Sequence, residues 1–158
     1  MIDINSYFDN AYRGSKNPDL LKIKEFLKLY DSPETKLKCI HIAGTNGKGS
    51  ICEMITNVLV KYNFKVGKFI SPHLIKYNER IKINDKEITD KEISDLIEEL
   101  EPKINEYNKK HNLKVTFFEL ITIIALLHFY RTNVDFVILE TGLGGLYDCT
   151  NIITKPLV

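Results

Sequence analysis

The sequence predicts an α/β fold, a doubly wound, mostly parallel sheet with helices on both faces. Two observations carry this. Short apolar runs alternate with segments of helical spacing, the strand–helix–strand order of a parallel sheet. In addition, the chain has 8 glycines. All but two fall into clusters, Gly44, Gly47 and Gly49 in one and Gly142, Gly144 and Gly145 in the other, each just after a predicted strand. That edge of an open α/β sheet is where ligands bind. The length, 158 residues at 44% hydrophobic and 27% charged, suits one domain with a real core.

Each element follows from local pattern. Residues 3–12 can form a short helix, and residues 14–19 (GSKNPD) read as a loop by their Gly, Asn and Pro. Residues 20–30 form an amphipathic helix with Leu20, Ile23, Leu27 and Tyr30 on one face. Residues 38–43 make a short apolar strand that runs into the first glycine cluster. Residues 49–62 return to helical spacing, with Ile51, Met54, Ile55, Val58 and Leu59 expected to face inward, and residues 65–70 form a second strand. Alternation over residues 80–88 predicts a hairpin turning at Asn84-Asp85. Thr89 with Glu92 and Thr116 with Glu119 are capping boxes, opening helices to about residues 108 and 130. The second of these helices is apolar nearly all round and should be buried. Residues 134–139 form a continuous apolar strand, of the kind covered on both faces of a parallel sheet. NIITKPLV, at the C-terminus, begins what reads as another strand.

Composition excludes several classes. Lys plus Arg is 22 and Asp plus Glu is 21, which leaves no basic footprint for nucleic acid. The N-terminus lacks a secretory pattern, and the most apolar run, residues 120–130, is shorter than the roughly 20 residues of a membrane span. Cys39, Cys52 and Cys149 have no metal-ligand spacing, and a buried thiol in a reducing, cytoplasmic setting accounts for them. Arg13, Arg80 and Arg131 are the only guanidinium groups, so Arg80 in a polar stretch stands out.

The first cluster, strand–GTNGKGS–helix, has the context of a phosphate-binding loop, giving the fold a P-loop character. Backbone N–H groups and the helix N-terminus hold phosphate oxygens, Lys48 balances their charge, and Ser50 offers a hydroxyl. The strict pattern G-x-x-x-x-G-K-[ST] is not met. Ile42 stands at its first glycine, and Gly49 separates Lys48 from Ser50. The alternative is a glycine turn with an exposed Lys. Glu140 closes the apolar strand VDFVILE beside this loop, either as a Mg²⁺-supporting acid or as a solvated strand end. SPHL places Ser71 and His73 at the same edge, where His73 is either a ligand or a solvated side chain.

Taken in order, AGTNGKGS, SPHLIKYNERIKINDKEIT, TFFELITIIALLHF and VILETGLGGLYDCTNI resemble the folylpolyglutamate synthase/dihydrofolate synthase family of the Mur ligase superfamily, as does YRGSKNPDLLKIKEFLKLYDSPE. The resemblance implies that residues 1–158 are the N-terminal part of a Mur-ligase-like ATP-binding domain. The remainder of that domain and a C-terminal glutamate-ligase domain would lie outside the chain. It further implies a cytoplasmic, monomeric full-length enzyme of folate and one-carbon metabolism. That enzyme joins L-glutamate to a folate or dihydropteroate carboxylate through an acyl phosphate, with ATP and Mg²⁺. Its partners would be these small molecules, with neither nucleic acid nor membrane.

By the same resemblance, Gly44, Thr45, Asn46, Gly47, Lys48, Gly49 and Ser50 bind ATP, and Lys48 is also the catalytic group. Ser71 and Glu140 ligate the metal, and Thr116, Phe117, Phe118, Glu119, Tyr147, Asp148 and Cys149 contact the pterin-bearing substrate. His73 and Arg80 are further candidates. Thr116 and Glu119 keep a second reading as the caps of their helix, and Cys52 reads as packing. Leu146 stands where the family has Arg, which touches the local substrate contact more than the chemistry. The later metal-binding His, the modified Lys and the C-terminal domain of the family have no counterpart in these residues. The isolated chain is therefore expected to be inactive. Two other readings stand beside this one. They are a cell-wall Mur-type amino-acid ligase, against which SPHL and TFFE argue, and another P-loop phosphoryl-transfer protein such as a kinase or nucleotide switch.

Overall fold

A computed structural model describes residues 2–14, 20–111 and 114–158. Its centre is one five-stranded sheet: β1 (Cys39–Ile42), β2 (Val66–Phe69), β3 (Ile81–Ile83), β4 (Lys86–Glu87) and β5 (Phe136–Glu140), in the order β1-β5-β2-β3-β4. β5 pairs in parallel with both β1 and β2, whereas β3 and β4 add as an antiparallel hairpin. The sheet is therefore mixed, with its parallel part confined to three strands. The α/β class is as the sequence predicts.

β5 alternates between two cores because successive side chains leave opposite faces of the sheet. Val137 and Leu139 join the main core, while Ile138 packs on the other face with Val66 and Cys52. The main core is covered by α5 (Phe117–Arg131), with α1 (Ile4–Asp9), α2 (Leu20–Lys28) and α4 (Asp90–His111) outside it. Being enclosed on all sides, α5 is apolar all round. Gly67 in β2 permits the close approach of α5, since a Cβ there would lie 2.6 Å from the Phe129 ring.

Among the described residues the opposite face carries one helix, α3 (Lys48–Lys61). Its inward face differs from the expected one. Cys52 and Thr56 are buried with Ile55 and Leu59 beside them, while Ile51, Met54 and Val58 are exposed. The two small side chains let the helix lie close to the sheet, which turns the bulkier stripe outward. Lys68, 2% exposed on β2, is satisfied by an ion pair with Glu53 of α3.

Local signals mark the element ends. Asp3 caps α1 by accepting from Ser6 N, so that helix is shorter than residues 3–12. Both capping boxes form: Thr89 N donates to Glu92 Oε2 at 2.8 Å, and Thr116 N to Glu119 Oε2 at 2.7 Å. The hairpin turns at Asn84, whose φ is +53°. Arg80 lies just before it, in the 3₁₀ turn Tyr77–Arg80. The predicted loop over residues 14–19 lies outside the described residues except for Gly14. No strand forms in the C-terminal stretch. Cys149–Ile152 is a 3₁₀ turn, and the tail then follows β1 through Leu157 N to Cys39 O (2.7 Å) and His41 N to Val158 O (2.9 Å). Among the described residues no helix is long and apolar enough to cross a membrane.

Candidate functional site

Strand register brings the predicted loops together. Ile42 lies opposite Glu140, and Phe69 opposite Leu139, so the three parallel strands end at one edge of the sheet. Residues 43–47, 70–73 and 141–148 emerge there side by side.

In the first loop, Gly47 is the N-cap of α3 and holds φ +77°, a conformation that favours glycine. The first helical bond runs from Ile51 N to Gly47 O at 3.0 Å. The N–H groups of Lys48, Gly49 and Ser50 precede it and lack helical acceptors, which makes a ready anion site. The stem of Lys48 folds over Gly44, where a Cβ would lie 3.8 Å from Lys48 Cγ. Among the described residues no carboxylate pairs with Lys48. Its charge is available to a ligand.

Glu140 ends β5 beneath this loop, 5% exposed. Its Oε2 accepts from Ser71 N at 3.0 Å, and its Oε1 lies 3.9 Å from where a Cβ on Gly49 would sit. No cationic side chain pairs with it among the described residues. A buried carboxylate without a counter-charge, beside a serine and a phosphate-type loop, fits Mg²⁺, which takes one or two carboxylates and completes its shell with water and phosphate oxygens. No group of three or more His, Cys, Asp or Glu suited to a metal occurs among the described residues. Cys52, just below, is inert, since burial and then Glu140 push its thiol up to about 12.

The remaining candidates divide by geometry. Phe117 is buried against Phe8 and Tyr77. Phe118 packs near Phe69 and over Gly142, where a Cβ would lie 2.6 Å from its ring. Thr116 and Glu119 cap α5. Glu119 is fully buried, and its second oxygen lies 3.0 Å from the Lys22 ammonium, which also donates to Lys114 O. One oxygen is thus held by a hydrogen bond and the other by the Lys22 charge alone.

Asp148 is likewise occupied. Oδ2 accepts from Gly142 N (2.8 Å) and Leu143 N (2.9 Å), while Oδ1 accepts from Thr150 N (2.9 Å) and its hydroxyl (2.6 Å). It thereby folds the second glycine loop upon itself. His41 of β1 sits 2.7 Å from the Thr150 hydroxyl, which spends its own proton on Asp148, so the imidazole is the donor. Cys149 is buried with its thiol pushed well up by burial, whereas Tyr147 is exposed.

His73 and Arg80 meet: Arg80 Nε donates to His73 Nδ1 at 2.8 Å, and the imidazole lies against Tyr77. Burial, and next the neighbouring Arg80 charge, hold His73 below its ordinary value. Pattern reading missed His41, Thr150, Lys22 and Arg13, whose partners lie far away in sequence. Only the scarcity of arginine pointed to Arg13.

No protein-family model matches the chain. It is 37% identical over 157 residues to the dihydrofolate synthase/folylpolyglutamate synthase of Bacillus subtilis (strain 168), a match covering 99% of the chain and 36% of that protein. Among solved structures, the folylpolyglutamate synthase of Thermotoga maritima superposes with a TM-score of 0.88 at 38% identity, covering 98% of the chain and 36% of that one. An FPGS–AMPPCP–folate complex superposes with a TM-score of 0.90 at 32% identity, covering 98% of the chain and 38% of that one. The chain thus spans about a third of the length of the curated relatives it matches. Over nearly all of its residues the chain is therefore similar, in sequence and in backbone, to about a third of folylpolyglutamate synthases and dihydrofolate synthases.

Proposed function

We propose that this chain carries the ATP- and acceptor-binding front of an ATP-dependent ligase that adds L-glutamate to a folate or dihydropteroate carboxylate. The observation that supports it best is the meeting, at one sheet edge, of Lys48 at a helix N-terminus with the buried Glu140, neither of which has an oppositely charged partner among the described residues. In this reading the sheet is a P-loop-type, doubly wound ATPase domain of Mur-ligase kind. Residues 1–158 form its N-terminal part, and the rest of the enzyme is needed for turnover. The amide groups of Lys48, Gly49 and Ser50 hold the phosphates, with Gly44, Thr45, Asn46 and Gly47 shaping the loop. Lys48 neutralises charge developing on the transferring phosphoryl. Ser71 and Glu140 hold Mg²⁺, which supplies further neutralisation of the phosphate oxygens when bound.

The acceptor carboxylate attacks the γ-phosphate, and ADP leaves. The glutamate amine then displaces phosphate from the acyl phosphate, forming the amide. The protein's part in the first step is placement and charge balance. Phe118 and Tyr147 offer aromatic surface to the pterin. Thr116, Phe117, Glu119, Asp148 and Cys149 shape that wall from behind, because their polar atoms are engaged or buried. The reactants are cytoplasmic small molecules, and the full-length enzyme is a monomer.

The test compares ligands on the chain itself by calorimetry. ATP and a folate or dihydropteroate should bind, while a UDP-sugar peptide should not. Binding of the UDP-sugar peptide in preference to folate would move the assignment to a cell-wall ligase. In a polypeptide of the relatives' full length, glutamate should appear in an amide product, and Lys48→Ala should sharply reduce it. Near-normal turnover in that variant would remove Lys48 from the chemistry.

A further inference from the structure

Arg80 is buried as a residue, 7% exposed, and no carboxylate lies within ion-pair distance of it among the described residues. A buried charge normally has a partner of opposite sign, because desolvation is costly. Here the one hydrogen bond, from Nε to His73 Nδ1, goes to a neutral ring, and the terminal amino groups find no acceptor among the described residues. Glu79, the adjacent acid, is spent on the N–H groups of Leu74, Ile75 and Lys76.

A second guanidinium stands close by. Arg13 Cζ lies 4.6 Å from the centre of the Phe117 ring, and Arg80 Cζ lies 5.3 Å from the same centre. Arg13 donates to Phe8 O and Tyr77 Oη, and its acid, Asp9, is 3.9 Å away and mostly exposed. Contact with an aromatic face attracts each cation. It does nothing for their mutual repulsion, and an anion between them would relieve that. The place is functional by position, because Ile70 N donates to Arg80 O at 3.0 Å, and the next residue is Ser71, bonded to Glu140.

We propose that Arg80, with Arg13 against the same Phe117 ring, forms an oxyanion site beside the metal-side pair, built for a carboxylate or phosphate group of a bound ligand. The acceptor's carboxylate is the favoured occupant; that choice of source, but not the site, rests on the ligase reading above. Arginine suits the task because its planar fork meets two oxygens at once.

The experiment observes Arg80 directly. The Nε–H of Arg80 in a ¹H–¹⁵N spectrum of the chain is identified by its absence in Arg80→Lys. It is then followed while inorganic phosphate, folate, the dimethyl ester of folate and ATP are added separately. We expect a saturable shift with folate and none with its ester, and a Kd for folate at least tenfold weaker in Arg13→Gln, whose parent side chain is half-exposed. A shift with ATP and not with folate supports the site and assigns it to nucleotide phosphate. A shift with inorganic phosphate alone supports the site and removes the folate source. No movement with any of the four, or a folate affinity unchanged in Arg13→Gln, overturns the proposal.

Discussion

Replacing Glu119 with Gln separates a structural group from a ligand group. Glu119 is fully buried, accepting from Thr116 N at 2.7 Å and ion-paired with Lys22 at 3.0 Å. Gln keeps the size and the capping acceptor but deletes the charge. Lys22 is then left in the interior with only Lys114 O, also at 3.0 Å. Breaking one side of a buried ion pair costs ~3–5 kcal/mol, and the surviving carbonyl contact argues for the lower end. About 3 kcal/mol corresponds to a fall in Tm of roughly 6–12 °C for a domain near this size. Urea unfolding followed by far-UV circular dichroism reads the loss. Adding Lys22→Met to the variant should restore part of it, since a buried pair replaced as a whole is often close to neutral. A single variant within about 0.5 kcal/mol of the parent, but unable to bind folate, would refute the reasoning and make Glu119 a ligand contact.

Further outcomes follow from other residues. Asp148→Asn should free the second glycine loop, seen as faster amide exchange at Gly142 and Leu143, whose N–H groups it now holds; unchanged exchange would contradict its role as their anchor. Gly142→Ala should displace Phe118, which a Cβ would approach to 2.6 Å, and weaken folate binding more than ATP binding. Glu79 has its carboxyl lowered from 4.5 to about 2, first by the Leu74 amide and then by that of Lys76. A depressed acid adds stability that is present above its unfolded value and lost as pH falls through the folded one. Wild type should therefore lose stability between about pH 4.5 and 2, and Glu79→Gln should lose less over that window. Parallel pH curves for the two proteins would be inconsistent with the three amide bonds to Glu79.

Features set by neighbouring residues were legible in the sequence. The glycine loop before α3, both capping boxes and the Asn84 turn depend on chemistry within a few positions, and each forms as read. What the linear pattern could not convey is which of two faces a helix turns to the sheet. On α3 the bulky Ile51, Met54 and Val58 read as core. The small Cys52 and Thr56 win because helix and sheet approach more closely over them. Long-range polar pairing was equally hidden. By resemblance Asp148 reads as a substrate contact, and nothing in the pattern shows that the fold holds it on loop amides and on Thr150, whose other partner, His41, is 109 positions away. Arg13 and Tyr77 meet across 64 positions, and nothing local to YRG announces it.

The central claim is that the loop at residues 44–50 cradles nucleotide phosphates. Its most direct test is calorimetric titration of the chain with ATP, ADP and AMP in the presence of Mg²⁺, repeated with Lys48→Ala. The account predicts that ATP and ADP bind at least tenfold more tightly than AMP, and that the variant loses most of that preference while keeping its fold, because Lys48 pairs with no acid among the described residues. Equal affinity for all three nucleotides, or an unchanged preference in Lys48→Ala, would contradict it.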